Sequence, residues 1–111
     1  MAISRAENAR SRQVFRAIAD PVRRGILDRL KPGSEIAALD LGERLATSQP
    51  ALSKHLKVLR EAGLVQSRRE GRMQYYSICP EPLREVYEWI EAYRRFWEDR
   101  LDALGRHLDG R

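Results

Sequence analysis

The stretch Leu45-Ala46-Thr47-Ser48-Gln49-Pro50-Ala51-Leu52-Ser53-Lys54-His55-Leu56-Lys57-Val58-Leu59-Arg60-Glu61-Ala62-Gly63-Leu64-Val65 decides how this chain folds. Ser48 is a good N-cap, Pro50 is tolerated in a first helical turn, and Gly63 stands where a left-handed C-terminal stop belongs. The spacing therefore predicts a helix over residues 49–62. At about 100° per residue, Ala51, Leu52, His55, Leu56, Val58, Leu59 and Ala62 fall in one arc. Gln49, Ser53, Lys54, Lys57, Arg60 and Glu61 fall in the other. One face packs; the other offers an amide, a hydroxyl and three cations.

Working outward, Leu41 and Leu45 at i, i+4 predict a shorter helix over 38–45, joined to the first by the polar turn Ala46-Thr47-Ser48. Further upstream, Asp20-Pro21 reads as an N-cap and first helical residue. It separates a helix over 6–19, carrying Val14, Phe15 and Ile18 at helical spacing, from one over 21–31, which Pro32-Gly33-Ser34 stops. Downstream, residues 64–70 and 73–78 read as two strands about a Gly71-Arg72 turn. After Pro80 and Pro82 a long helix is expected over residues 82–108. The fold class is mainly α with a β-hairpin: a winged helix-turn-helix core over about 6–79 and a C-terminal helix, in one domain spanning 1–111.

Composition fits that size. The 111 residues carry 21 Lys+Arg against 16 Asp+Glu, a formal charge of +5, with 42% hydrophobic residues for a small core. Residues 1–79 hold 15 basic and 8 acidic side chains, whereas residues 80–111 hold 6 and 8, so the cationic character lies in the first two-thirds. Such a face suits nucleic acid or anionic lipid. The longest apolar run, Ile36 to Leu39, is far short of the roughly 20 residues of a membrane helix. Met1-Ala2-Ile3-Ser4-Arg5 lacks a secretory apolar region, so a cytoplasmic location is expected. A single Cys79 forms no intramolecular disulfide. No glycine-rich phosphate loop, nucleophile elbow or His-Glu metal motif is present, so no enzyme activity is expected.

The polar arc of 49–62 has the inventory for a DNA major groove, where amides and hydroxyls read base edges and cations meet phosphate. Ser48, Gln49, Ser53 and Lys54, near the helix N-terminus, are the expected groove contacts, with Lys57 and Arg60 further along on phosphate. Arg68, Arg69 and Arg72 on the hairpin extend the cationic surface toward an adjacent groove or backbone. The plainer readings are a solvated helix face and a hairpin whose charges discourage strand aggregation.

The Leu45–Val65 stretch, with Phe15-Arg16-Ala17-Ile18-Ala19-Asp20-Pro21-Val22-Arg23-Arg24 upstream and Arg69-Glu70-Gly71-Arg72 and Tyr75-Tyr76 downstream, resembles the ArsR family of winged-helix repressors over nearly residues 10–79. The resemblance implies a homodimer that binds double-stranded operator DNA and represses its own transcription unit. It places His55 in the family's Ser-x-His-Leu pattern, as a DNA contact or a packed structural group. Metal-sensing relatives carry a Cys-x-Cys pair where this chain has Ala37, Ala38 and Leu39. The other family site, of Asp and His on paired C-terminal helices, finds only His107 as an imidazole. No metal and no cofactor are therefore expected, and any small-molecule or protein effector is left unidentified.

Along the last helix, Leu83, Val86, Ile90, Tyr93, Trp97, Leu101, Leu104 and Leu108 recur at spacings of three and four, flanked by Trp89 and Phe96. Such a seam wants a partner helix. Together with Val14, Phe15 and Ile18 of the N-terminal helix it is the expected homodimer interface, placing two recognition helices in successive major grooves of an inverted repeat. The competing expectations are a winged-helix module for protein contacts and a redox-responsive repressor using Cys79.

Overall fold

Asp20 divides the first two helices. The computed structural model describes residues 5–109, so residues 1–4 and 110–111 of the expected span lie outside the described part. Helix α1 (Arg5–Ile18) ends just before Asp20, whose carboxylate accepts from the amides of Val22 at 2.8 Å and Arg23 at 3.3 Å and so caps α2 (Pro21–Arg29). Desolvation pushes the Asp20 carboxyl up, but those amide hydrogen bonds and the Arg23 charge outweigh it and hold it below its ordinary value. The cap is therefore lost only as the pH falls through that lowered value.

A two-residue strand β1 (Ile36–Ala37) leads directly into α3 (Ala38–Leu45). The sequence pattern did not anticipate this strand. Ala46, at φ 51°, takes the left-handed conformation that ends α3 and begins the turn to α4 (Gln49–Glu61). At the far end of α4, Gly63 (φ 75°) closes a Schellman motif, with Gly63 N–H donating to Arg60 O and Leu64 N–H to Leu59 O, each at 2.9 Å. Strands β2 (Val65–Glu70) and β3 (Met73–Ile78) form the hairpin about Gly71 at φ 60°. The sheet order is β1-β3-β2, antiparallel throughout. A short 3-10 turn (Glu81–Leu83) then enters α5 (Arg84–Asp109).

Ile26, Leu27 and Leu30 of α2 with its C-cap, Leu41 of α3, Leu52, Leu56 and Leu59 of α4, and Leu64, Val65 and Tyr76 near the sheet make the common core. Val14 is fully buried inside its own chain. Ile18 and Leu83, also expected there, pack partly buried against the core. Helix α5, about 39 Å long, projects from this body. The radius of gyration is accordingly 18.2 Å, against about 13 Å for a compact chain of this length. Among the described residues no helix is long and apolar enough to cross a membrane.

Candidate nucleic-acid interface

Helix α4 divides as its wheel predicts. Leu52, Leu56 and Leu59 are buried and Ala51, His55 and Val58 half-buried, while Gln49, Ser53, Lys54, Lys57, Arg60 and Glu61 are exposed. No ion pair neutralises Lys54, Lys57 or Arg60 among the described residues. Ser48 caps the helix, its hydroxyl oxygen accepting from Ala51 N–H at 3.3 Å, which leaves the hydroxyl proton to donate outward. Gln49 folds back over α3. A methyl built on Gly42 would lie 2.5 Å from Gln49 Nε2, so the absence of a side chain at Gly42 sets where this amide rests.

His55 is tied to the body rather than pointed into solvent. Arg23 reaches from α2 and donates through Nε to Ala17 O (2.7 Å) and through Nη2 to Arg16 O (2.8 Å), with Nη1 3.4 Å from His55 Nδ1. Arg24 donates to Ile18 O at 2.7 Å. The two arginines thus donate to carbonyls in the last turn of α1, of which Arg16 O also accepts from Ala19 N–H at 3.3 Å. A guanidinium only donates, so a hydrogen bond across this contact needs His55 Nδ1 as its acceptor. Replacing His55 with Ala is expected to cost about 1 kcal/mol, a fall of several degrees in melting temperature, with operator affinity held within about threefold. Calorimetry and DNA titration on the same preparation check it; lost affinity at an unchanged melting temperature would assign the ring to DNA.

On the hairpin the three arginines have different surroundings. Arg69 and Arg72 are exposed and enter no ion pair among the described residues. Arg68 Nε instead lies 2.9 and 2.8 Å from the two carboxylate oxygens of Glu35, its Nη1 donates to Glu70 at 2.7 Å, and its guanidinium stacks 4.7 Å from the centre of the Tyr75 ring. Its hydrogen bonds to Glu35 and then Glu70 raise its pKa further above the ordinary arginine value. The sequence pattern gave no role to Arg44, exposed in the last turn of α3 and without a carboxylate partner among the described residues. It is the lone cation of α3, the helix preceding α4.

Helix α5 leans on α1 through an edge-to-face pair, Phe15 with Trp89, ring centres 5.6 Å apart, and Trp89 in turn meets Tyr93 at 5.6 Å. Val86 and Ile90 are half-buried. Trp89, Tyr93, Phe96, Trp97, Leu101, Leu104 and Leu108 are all exposed, and so is Tyr87, which the seam pattern missed. Burial and then the Glu81 charge push the half-buried Cys79 thiol up, which disfavours the reactive thiolate. No group of three or more His, Cys, Asp or Glu side chains is placed to hold a metal among the described residues.

Residues 18–68 match the model of a helix-turn-helix domain family. The transcriptional repressor SdpR of Bacillus subtilis is 40% identical over 77 residues, covering 69% of this chain and 84% of the repressor. The arsenical resistance operon repressor of Escherichia coli is 33% identical over 96 residues, covering 86% of this chain and 82% of that protein. Among solved structures, an ArsR-like transcriptional regulator from Rhodococcus sp. RHA1 superposes with a TM-score of 0.70 at 29% identity, covering 98% of this chain and 99% of that one. These relatives are transcriptional regulators and not enzymes. With the helix-turn-helix of α3 and α4, the hairpin beside it and this likeness over most of its length, the chain belongs to the ArsR family of winged-helix DNA-binding transcriptional repressors.

Proposed function

We propose that this chain is a cytoplasmic homodimeric repressor that covers an inverted-repeat operator, its own promoter included, without a metal or other cofactor. The observation that carries the reading is helix α4: one face locked in the core, the other presenting Gln49, Ser53, Lys54, Lys57 and Arg60 with no carboxylate partner among the described residues. In this reading Ser48, Gln49, Ser53 and Lys54 contact the major groove. Lys57, Arg60, Arg44, Arg69 and Arg72 meet phosphate or an adjacent groove. Residues 6–79 act as the DNA-binding core and residues 82–108 as the dimerisation helix.

Surface area supports the homodimer. The chain exposes 8584 Å², whereas a compact monomer of 12.9 kDa exposes about 6,300 Å². The excess of roughly 2,000 Å² per chain is on the scale that an obligate dimer interface removes, and much of the exposed apolar part lies on α5. A two-fold pairing through α5 would present two α4 helices to grooves about 34 Å apart.

Fluorescence-anisotropy titration against DNA from upstream of the chain's own gene and a scrambled duplex, over several salt concentrations and with and without zinc and reductant, tests the reading. Tight binding to the first duplex, weakening steeply with salt and indifferent to zinc and reductant, is the expected result. Equally weak binding to both would move the reading to a module for protein contacts.

A further inference from the structure

We infer that Arg68 is a positioning residue: with Glu35 it straps the hairpin to β1 and fixes where the tip carries Arg69 and Arg72. The inference rests on the DNA-binding reading above and changes the role of one arginine within it. Register makes the strap visible. Arg68 on β2 stands opposite Tyr75 on β3, and Tyr75 stands opposite Ala37 on β1, so the three form a row across the whole sheet. The Arg68 side chain runs along that row, over the Tyr75 ring, and ends on Glu35, two residues before Ala37. It joins the outer strand of the hairpin to the far edge of the sheet, across the central strand.

That junction needs support. Strand β1 pairs through Ile36 and Ala37 alone, while beyond the Arg68–Tyr75 row the hairpin continues as a two-stranded ribbon through Arg69–Gln74 and Glu70–Met73 to Gly71 and Arg72. Isolated ribbons of this kind are twisted and mobile. Side chains alternate along a strand, so Arg68 and Glu70 share one face and Arg69 takes the other. Adjacent arginines therefore do different things. A phosphate reaching Arg68 would have to displace two carboxylates, whereas Arg69 and Arg72 have none to displace among the described residues.

The test uses the full chain with Glu35→Ala, Arg68→Gln and both together, reading amide hydrogen exchange and DNA titration over salt. Each single change is expected to speed exchange at Ile36, Ala37 and Tyr75 and to weaken operator binding by about threefold or more. The double change should be no worse than either, and the salt slope of Arg68→Gln should match the parent. Weaker binding in Glu35→Ala would run against the removal of a negative charge, which by itself strengthens DNA binding. A salt slope shallower by about 0.9 in Arg68→Gln, the amount expected for one phosphate no longer neutralised, with tighter binding in Glu35→Ala, would place Arg68 on phosphate and overturn the inference. Faster exchange with unchanged affinity would overturn the positioning role, and unchanged exchange would overturn the strap. If the parent chain binds no duplex, the DNA reading fails, and exchange still decides the strap.

Discussion

Replacing Trp97 and Leu101 together by glutamate is expected to leave a folded monomer whose operator affinity is lower by about a hundredfold or more. The two side chains lie one helical turn apart on α5 and are 48% and 65% exposed in the isolated chain, so charging them costs the single chain little. In a dimer the same positions would be buried against a second apolar helix, where four unpaired carboxylates per pair of chains are prohibitive. Affinity falls because a dimer binds its second half-site intramolecularly, at an effective concentration a free monomer does not reach. Sedimentation at micromolar concentration reads the oligomeric state, circular dichroism the fold, and anisotropy the affinity. A variant that stays dimeric, or a monomer that binds as tightly as the parent, would refute the role given to α5.

The helix-turn-helix and the hairpin were legible because their boundaries are written in local chemistry. Ser48, Gly63, Asp20 and Gly71 act through bonds or backbone angles within a few residues of themselves, and the structure uses each where the sequence places it. Strand β1 was not legible. Two residues inside the apolar run Ile36 to Leu39 carry no alternation, and only pairing with Tyr75 and Tyr76, about forty positions away, makes them a strand. Val14 shows a related limit: helical spacing groups it with Phe15 and Ile18, but neighbouring helical residues point about 100° apart, and the core takes Val14 while Phe15 turns to Trp89. Charge counting fails for the same reason. Arg23 and Arg24 look like part of a basic surface, yet they cap the carbonyl end of α1, and Arg68 is held by a carboxylate 33 positions away. What a cation does is settled by its partner, and distant partners leave no mark in a sequence window.

The double change Gln49→Ala with Ser53→Ala is expected to lower the preference for operator over scrambled DNA by roughly 10- to 100-fold, because a bidentate base contact of the kind Gln49 would make discriminates by about 1–3 kcal/mol and a lone hydroxyl adds less. Its salt slope should equal the parent's, since neither side chain releases a counterion. Lys57→Ala with Arg60→Ala should do the reverse. Binding to both duplexes then weakens alike, and the slope becomes shallower by about 0.9 for each phosphate that is no longer neutralised. All four side chains are exposed, so thermal melting should be nearly unmoved in either variant. Gly42→Ala separates Gln49's position from its chemistry. The new methyl displaces the far end of a flexible side chain, with Leu52 at an ordinary 3.5 Å, and alanine is favoured over glycine in a helix by about 1 kcal/mol. The protein should therefore be at least as stable, with the Gln49 amide moved from its resting place and base preference altered. Unchanged preference in both Gln49→Ala with Ser53→Ala and Gly42→Ala would remove the N-terminal turn of α4 from base readout and leave its cations as all that the helix brings to DNA.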